Sequence, residues 1–245
     1  MKYTVLRYGT IDSTNRLLLA HAQPDGETMT VAVADYQTAG RGQGHNTWES
    51  EKGKNLLFSV LLRPTNIAAD RQFVISMAAA LAHKEALDAY TEGITLKWPN
   101  DIYWQDRKLG GTLIETRLCG ATITHCVVGT GINVNQRTFR SDAPNPVSLL
   151  NITGRETCRD TLLGEVLEAL SRYMDMAESG EDGIETISQR YHAALYRRKG
   201  MHEYEDLHGR FLAKIAGVEP AGHLLLRLAN GTVRRYAFKE VKFII

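Results

Sequence analysis

The amino-acid sequence predicts an α+β protein, in which a mixed β-sheet flanked by helices is followed by a small C-terminal β-barrel. The first part alternates strand-like segments with stretches of helical periodicity, whereas from about residue 197 the pattern changes to short strands split by turns. The length of 245 residues also exceeds the roughly 100 to 200 residues of a usual single domain. We therefore expect two domains, at 1–196 and 197–245.

Segments rich in β-branched or alternating residues predict the strands of the larger domain. They are 4–8, 29–34, 56–62, 112–117, 122–128 and 132–135. Residues 118–136 carry no Asp, Glu, Lys or Arg, but their glycines and polar side chains make them too polar for a membrane-spanning helix. We expect them to form core strands instead.

Helical periodicity of apolar residues appears at 71–89, 160–174 and 184–196. Asp70 directly precedes the first of these segments, where a short acidic side chain is a favoured N-cap. These helices are expected to flank the sheet.

The C-terminal part shows turn dipeptides between short strands, as a barrel of hairpins requires. The dipeptides Ala221-Gly222 and Asn230-Gly231 separate the first three of the predicted strands 211–218, 223–228, 232–237 and 241–245. From residue 196 onward there are ten basic and five acidic side chains, which gives this part +5 and the rest of the chain −4. Such a basic surface is either simply solvated or favours an acidic partner.

The overall composition excludes several classes of protein. The net charge of +1 supplies no global field for nucleic acid or an anionic membrane. The three cysteines form no CxxC pair, and the histidines have no metal-finger spacing, which favours reduced thiols and no protein-held metal. Residues 1–8 alternate like a strand and lack the features of a signal peptide. We expect a cytoplasmic protein that binds neither DNA nor a membrane.

The glycine-rich stretch 40–45 is the first segment with chemical potential. It fails the dinucleotide fingerprint, because His45 stands where the third glycine belongs, and no P-loop pattern surrounds Lys54. Flanking glycines would still let backbone N–H groups and the Arg41 fork approach a phosphate or carboxylate. The competing interpretation is an ordinary turn with an exposed arginine.

Two further segments place polar groups near predicted element ends. The run at 12–15 is either a helix N-cap or a set of hydrogen-bonding groups for a small polar ligand. At 96–101, Pro99 disfavours helix and leaves a lysine, a tryptophan and a carboxylate around one turn. Lys108 follows beside two glycines, as a ligand-binding cation or a surface lysine in a turn.

Taken together, these segments resemble the conserved blocks of biotin protein ligases, in the same order and over essentially the whole chain. The matching blocks are DSTN at 12–15, QTAGRG at 37–42 followed by Trp48 and Ser50, LLFSVLLRP at 56–64, LKWPND at 96–101, KLGG at 108–111 and GTGINVN at 129–135. The resemblance implies a catalytic domain like that of class II aminoacyl-tRNA synthetases, followed by an SH3-like C-terminal barrel.

The resemblance also implies a two-step activity with ATP and Mg²⁺. Biotin would be activated to biotinyl-5′-AMP and then passed to one lysine of a biotin carboxyl carrier protein domain. The implied catalytic residues are Arg41, Asp101 and Lys108. The implied biotin-binding residues are Ser13, Thr14, Asn15, Gln37, Gly40, Arg41, Lys108 and Gly111. The implied nucleotide-binding residues are Arg41, Gly42, Trp48, Lys97, Asn100, Asn133 and Phe139, the last as an apolar lid in the loop 136–146.

Two departures from the commonest family pattern affect these expectations. Gln43 replaces a second loop arginine, which bears on phosphate affinity. No DNA-binding winged helix precedes the strand at 4–8, so no repressor role is expected.

Three alternatives stay open on the sequence alone. A lipoate or octanoate ligase or transferase resembles the same α/β body, and a non-catalytic RNA or protein adaptor would use only the basic tail. Homodimer formation is also open, because an edge strand used for pairing cannot be told from a covered one.

Overall fold

The computed structural model describes residues 3–20, 29–44, 46–141 and 145–245. Its larger sheet has the strand order β1-β2-β3-β7-β6-β5-β4. Only β1 and β2 are parallel; the other neighbours in this sheet are antiparallel. The strands are β1 (Tyr3–Tyr8), β2 (Met29–Ala34), β3 (Leu56–Leu62), β4 (Ile94–Lys97), β5 (Asp101–Trp104), β6 (Arg107–Cys119) and β7 (Thr122–Ile132).

Helices pack on both faces of this sheet. The helices are α1 (Thr14–Ala20), α2 (Phe73–Asp88), α3 (Leu149–Thr153), α4 (Arg159–Glu178) and α5 (Glu181–Ala194). The main core forms where α2 and α4 pack against alternate residues of the strands, such as Phe58, Val60 and Val128. On the opposite face the short α1 covers part of the sheet through Leu18. Within the described residues, no other helix packs beside α1 on that face.

The C-terminal strands form a second, antiparallel sheet of order β11-β10-β9-β8-β12. They are β8 (His202–Asp206), β9 (Gly209–Val218), β10 (Leu224–Leu228), β11 (Val233–Tyr236) and β12 (Lys242–Phe243). The Trp98 indole N–H donates to the Gly222 carbonyl at 2.9 Å, and the Phe238 ring packs against Trp98 with ring centroids 5.4 Å apart. These contacts attach the small sheet beside the turn that joins β4 and β5.

Most predicted elements are confirmed with shifted ends. The strands predicted at 29–34 and 56–62 have the expected bounds, and the two glycine turns of the barrel do join antiparallel strands. The strand predicted at 132–135 is wrong, because β7 runs unbroken to Ile132 and the chain then leaves the sheet. The N-cap predicted at Asp70 is also wrong. Asp70 lies in a 3₁₀ turn, and Gln72 precedes α2.

Several elements have no prediction at all: β4, β5, α3 and β8. The strands β4 and β5 have four residues each, too few to show alternation clearly.

Of the cysteines, Cys126 is buried while Cys119 and Cys158 are exposed. Within the described ranges, no helix is long and apolar enough to span a membrane.

Candidate active-site cleft

A cleft of about 490 Å³ opens on the same face of the sheet as α1, beside that helix. Most of the residues proposed from the sequence meet there. Those that line it are Ser13, Thr14, Asn15, Gln37, Arg41, Gly42, Trp48, Lys97, Asn100, Asp101, Lys108 and Gly111. The remaining three, Gly40, Asn133 and Phe139, lie outside its lining.

Strand register explains why distant sequence blocks meet in this cleft. Lys97 pairs with Asp101, Asp101 with Gly111 and Gly111 with Gly131, so one row crosses β4, β5, β6 and β7. Directly opposed residues point to the same face of a sheet. The LKWPND, KLGG and GTGINVN blocks are therefore neighbours across the strands, although 27 residues lie between the first and the last.

A β-bulge turns Lys108 into the cleft. Regular alternation would place Lys108 on the face opposite to Gly111, since they are three residues apart. The register between β5 and β6 shifts here, with Ile102 opposite Gly110 but Tyr103 opposite Lys108. The unpaired Leu109 is buried in the core on the other face, and Lys108 faces the same way as Asp101. Bulges beside functional sites commonly re-aim a side chain in this manner.

One side of the cleft, here called the neutral wall, consists of Ser13, Thr14, Asn15 and Gln37, which line it, and of Ser59, which is buried behind them. The Thr14 hydroxyl lies 2.6 Å from Ser59 Oγ and 3.1 Å from Gln37 Oε1. Ser59 donates to Asn15 Oδ1 at 2.5 Å, and the Thr14 backbone N–H donates to Gln37 Oε1 at 2.8 Å. Ser13, Thr14, Asn15 and Ser59 are all buried. Thr14 begins α1, and Ser13, Thr14 and Asn15 also line the cleft, while ligand binding by this run stays a prediction.

Glycines on β7 make room for two of the cleft side chains. A Cβ added to Gly129 would overlap the Asn15 amide, and one added to Gly131 would lie 2.5 Å from the Trp48 ring. Thr130, between them, points to the other face and bonds His83 there at 3.2 Å. The GTG of the GTGINVN block is therefore a packing requirement of the cleft.

The Trp48 indole forms a flat surface over Gly131. Its Nε1 is buried and has no hydrogen-bond partner within the described part of the chain. Trp48 is positioned by the glycine loop, because its backbone N–H donates to the Gly40 carbonyl at 3.1 Å. Gly40 thus supports the cleft from behind. A buried N–H with nothing to donate to is suited to a ligand acceptor.

The opposite side, here called the charged wall, holds ion pairs. Lys108 Nζ lies 2.6 Å from Asp101 Oδ1 and 5.8 Å from the Trp48 ring centroid. Arg41 lies 2.7 Å from Glu115 Oε2, which also accepts from the Asn15 amide at 2.8 Å. Glu115 was not singled out by the sequence, and it joins the two walls.

Lys97 completes the charged wall in a more buried position. Its ammonium lies 4.9 Å from the ring centroid of Phe243 and 5.2 Å from that of Tyr103. Burial lowers the pKa of Lys97 below its usual range, Asp101 opposes this effect, and the positive charge of Lys108 adds to it. Aromatic faces compensate part of the lost hydration.

The loop predicted to fold over adenine is anchored beside the cleft. Glu49 accepts hydrogen bonds from the backbone N–H groups of Arg140 and Ser141 at 2.9 and 2.7 Å. Burial alone would raise the pKa of Glu49, but these hydrogen bonds hold it below its usual value. Residues 142–144 of this loop lie outside the described residues, as does His45.

Asn133 and Phe139 are placed away from the cleft lining. The Asn133 amide is buried and donates to the Val147 carbonyl at 3.1 Å, and Phe139 is half-buried. In this structure Asn133 braces the segment after β7. The contact of Asn133 and Phe139 with the nucleotide stays a prediction.

Sequence reasoning missed the contribution of the C-terminal barrel. Lys239, Val241, Lys242 and Phe243 line the cleft together with the larger domain. The excess positive charge of the tail was the available signal, but it does not reveal which of its ten basic residues face the cleft.

Comparison with known proteins decides the family. Residues 8–133, more than half of the chain, match the biotin/lipoate A/B protein ligase family. The chain belongs to this family. The match spans both walls of the cleft, from Ser13 to Gly131.

Relatives place the chain in the biotin protein ligase branch of the family. It is 31% identical over 235 residues to the bifunctional ligase/repressor BirA of Bacillus spizizenii, covering 93% of this chain and 70% of that protein. It is also 31% identical over 166 residues to the biotin–[acetyl-CoA-carboxylase] ligase of Mycobacterium tuberculosis, covering 64% of this chain and 59% of that protein.

A solved structure of this ligase branch shares the entire architecture. The biotin protein ligase of Aquifex aeolicus, in complex with biotin and ATP, superposes with a TM-score of 0.80 at 26% identity, covering 98% of this chain and 99% of that chain. The expected fold is confirmed, with a mixed seven-stranded sheet and its helices followed by a five-stranded antiparallel sheet at the C-terminal side.

Proposed function

We propose that this ligase activates biotin with ATP to biotinyl-5′-AMP and transfers the biotinyl group to a lysine of a biotin carboxyl carrier protein domain. The observation that carries the proposal is the cleft itself. It sets a preformed neutral hydrogen-bonding wall against a wall of cations, as a neutral ring with an anionic tail requires. The solved Aquifex relative, which covers nearly the full chain, has biotin and ATP bound.

In the first step the biotin carboxylate attacks the α-phosphate of ATP. A bond forms between a carboxylate oxygen and the α-phosphorus, and the bond to the β-phosphate oxygen breaks, so that pyrophosphate leaves with the electron pair. Arg41 and Lys108 stabilise the negative charge that concentrates as two anions meet. Each must leave its present partner, Glu115 or Asp101, to do so.

The neutral wall, with Gly111, holds the ureido ring of biotin, and Gly40 contributes indirectly by positioning Trp48. Hydroxyl and amide groups that are already buried and oriented need no further ordering when the ligand arrives. A Cβ added to Gly111 would lie 3.3 Å from Asp101 Oδ1, so a side chain there would crowd the Asp101 carboxylate. Gly42, Trp48, Lys97 and Asn100 are proposed to face the nucleotide.

Asn133 and Phe139 are proposed as further contacts to the adenine of the nucleotide. Neither lines the cleft described above, so contact with adenine would require the loop 136–146 to move. Glu49 holds Arg140 and Ser141 in the middle of that loop, so such a movement would have to break these hydrogen bonds.

Mg²⁺ is proposed to enter with ATP. Among the described residues no three His, Cys, Asp or Glu side chains lie together as a metal site, and the one carboxylate lining the cleft, Asp101, is paired with Lys108. These residues do not fit a protein-held metal. Phosphate oxygens and water are the usual ligands of Mg²⁺ in such enzymes, where it neutralises charge on the phosphates.

In the second step the carrier lysine attacks the carboxyl carbon of the mixed anhydride. A C–N bond forms, the bond to the phosphate oxygen breaks, and AMP leaves with the electron pair. Asp101 lies at the end of β5 beside Lys108, where its carboxylate can orient the amine and accept the proton it loses. Activity of this kind belongs in the cytoplasm, where ATP and carrier are present.

The test is biotin-dependent exchange of label between pyrophosphate and ATP. Purified protein with Mg²⁺-ATP should exchange with biotin and not with lipoate or octanoate, and should then label a carrier domain. Because the family includes lipoate ligases as well, the exchange measured with biotin and with lipoate decides between the two activities. Exchange driven by lipoate but not by biotin would contradict the proposal, and no exchange with any acid would favour a non-catalytic adaptor.

A further inference from the structure

Positively charged side chains outnumber negatively charged ones in the lining of the cleft. The cationic side chains Arg41, Lys97, Lys108, Lys239 and Lys242 line it, against the single carboxylate of Asp101. Two of the five, Lys239 and Lys242, come from the C-terminal barrel. A cleft with this excess of positive charge attracts a polyanion.

The cations of the larger domain are largely compensated by their surroundings. Arg41 is paired with Glu115 and Lys108 with Asp101, while Lys97 is partly buried between two aromatic rings. In contrast, neither barrel lysine forms an ion pair with any carboxylate in the described part of the chain. They are exposed and supply the uncompensated charge.

Lys239 reaches directly over the glycine loop. A Cβ added to Gly44 would collide with the Lys239 ammonium, so this loop residue and the barrel lysine are in close approach. Lys239 also has a φ of 70°, a left-handed conformation that is uncommon for a residue with a side chain. This turn conformation and the close approach together place the Lys239 ammonium beside the loop.

Aromatic contacts fix this turn on the larger domain from both ends. Phe238, directly before Lys239, packs on Trp98 with ring centroids 5.4 Å apart and on Phe73 at 6.3 Å. Phe243, directly after Lys242, packs on Tyr196 at 6.3 Å and lies under the Lys97 ammonium. The two lysines are therefore held at the cleft rather than on a loosely attached domain.

From these contacts we propose that Lys239 and Lys242 bind the β- and γ-phosphates of ATP, so that the C-terminal barrel completes the polyphosphate site. The inference rests on the proposed function, since it assigns the leaving pyrophosphate a place in the same cleft. Gln43, one residue before Gly44, adds no charge to the loop, and Lys239 supplies a cation at that point from the other domain.

The two half-reactions separate this role from others. Biotinyl-5′-AMP has no β- or γ-phosphate, so transfer from the preformed adenylate does not need these lysines. The variants are Lys239→Gln, Lys242→Gln and the double variant. Lys214→Gln is the matched control, since it removes one charge from an exposed position on β9 of the same barrel.

Each single variant should raise the KM for ATP about tenfold, the scale of losing one charge-assisted contact at a solvent-exposed position. The KM for pyrophosphate in the reverse reaction, starting from biotinyl-5′-AMP, should rise similarly. The KM for biotin and the rate of carrier labelling from preformed adenylate should match wild type. Lys214→Gln should change none of these values.

Other outcomes overturn the inference in distinguishable ways. Unchanged KM values for ATP and pyrophosphate in an exchange-competent protein would refute the phosphate role alone. Slower transfer from preformed adenylate, with unchanged ATP kinetics, would assign the lysines to an acidic carrier surface instead. Failure of the wild-type protein to exchange would reject the proposed function itself.

Discussion

On the neutral wall of the cleft, buried hydroxyl and amide groups satisfy one another through a fixed chain of hydrogen bonds. On the charged wall, Arg41 and Lys108 each hold a carboxylate that a substrate must replace. The hydrogen bonds of the neutral wall are complete before a ligand arrives. In the charged wall, the ion pairs have N–O distances of 2.6 to 2.7 Å and must open before a ligand can bind the cations. The neutral wall is thus built for recognition, and the charged wall for exchanging partners during the reaction.

The contact between Asp101 and Lys108 gives the charged wall its largest expected effect. Asp101→Asn removes the proton acceptor for the carrier lysine, so transfer from preformed biotinyl-5′-AMP should slow by roughly 10² to 10⁴-fold, the range typical of general-base loss. Adenylate formation should stay within about tenfold of wild type, since Lys108 keeps its charge. Single-turnover labelling of the carrier measures the first rate. Transfer at the wild-type rate would contradict this role for Asp101.

Lys108→Ala should show the reverse pattern. It removes a cation where the carboxylate and α-phosphate meet, and adenylate formation should fall by roughly 10²-fold or more. Because the two side chains touch, the effects of Asp101→Asn and Lys108→Ala should not add in the double variant. Lys84→Ala, which breaks an exposed pair on α2, is the control. Equal damage to both steps by both single variants would mean that the residues only brace the β4–β5 turn.

Behind the neutral wall, His83 offers a test through pH. Burial lowers the pKa of His83 to about 4, whereas the unfolded chain has the ordinary value of 6.5. As pH falls below 6.5 the unfolded state takes up the proton first, so stability that is complete above 6.5 is lost as pH falls towards 4. The loss should approach about 3 kcal/mol.

Urea unfolding at pH 7 and pH 4.5 measures this change. His83→Gln cannot titrate, so its free energy of unfolding should fall less between these two pH values than that of wild type. An equal fall in both proteins would show that other groups cause the acid destabilisation.

Thr14→Val tests the preformed character of the neutral wall directly. The substitution keeps the shape but removes the hydroxyl that bonds Ser59 and Gln37, and an unpaired buried partner costs about 1 to 3 kcal/mol. We expect the KM for biotin to rise about tenfold or more, with little change in the KM for ATP. Thr153→Val, which removes a hydroxyl from α3, is the control. A KM for ATP that rises as much as that for biotin would show that the two walls are not separate.

The sequence predicts the two walls unequally. The residues of the neutral wall all lie in recognisable blocks, although Ser59, the one polar residue of the apolar strand β3, gives no sign of its own that it belongs there. The charged wall depends on strand register and on the bulge at Leu109, and neither can be read from alternation. Glu115, Lys239 and Lys242 were missed for a related reason. A charged residue in a strand or a basic tail is usually solvated, and only the tertiary fold shows which charges face a cleft.

The smallest expected effect concerns Glu115, where the two walls meet. Glu115→Gln keeps a group for the Asn15 amide but removes the ion pair with Arg41. Such a partly exposed pair contributes at most about 1 kcal/mol, so overall activity should change by less than roughly fivefold.

The loop from Gly40 to Trp48 should respond more clearly than activity does. In wild type we expect its amides to exchange hydrogen faster without ligand than with biotinyl-5′-AMP, because the adenylate then binds Arg41 and orders the loop. In Glu115→Gln the ligand-free loop should exchange faster still, while the adenylate-bound loop should match wild type, since Arg41 no longer depends on Glu115 there. Glu219→Gln, which breaks the comparable pair with Arg235 on the barrel, should leave the loop unchanged. Equal protection with and without the adenylate in wild type would mean that the charged wall is as fixed as the neutral one, and that its ion pairs persist through the reaction.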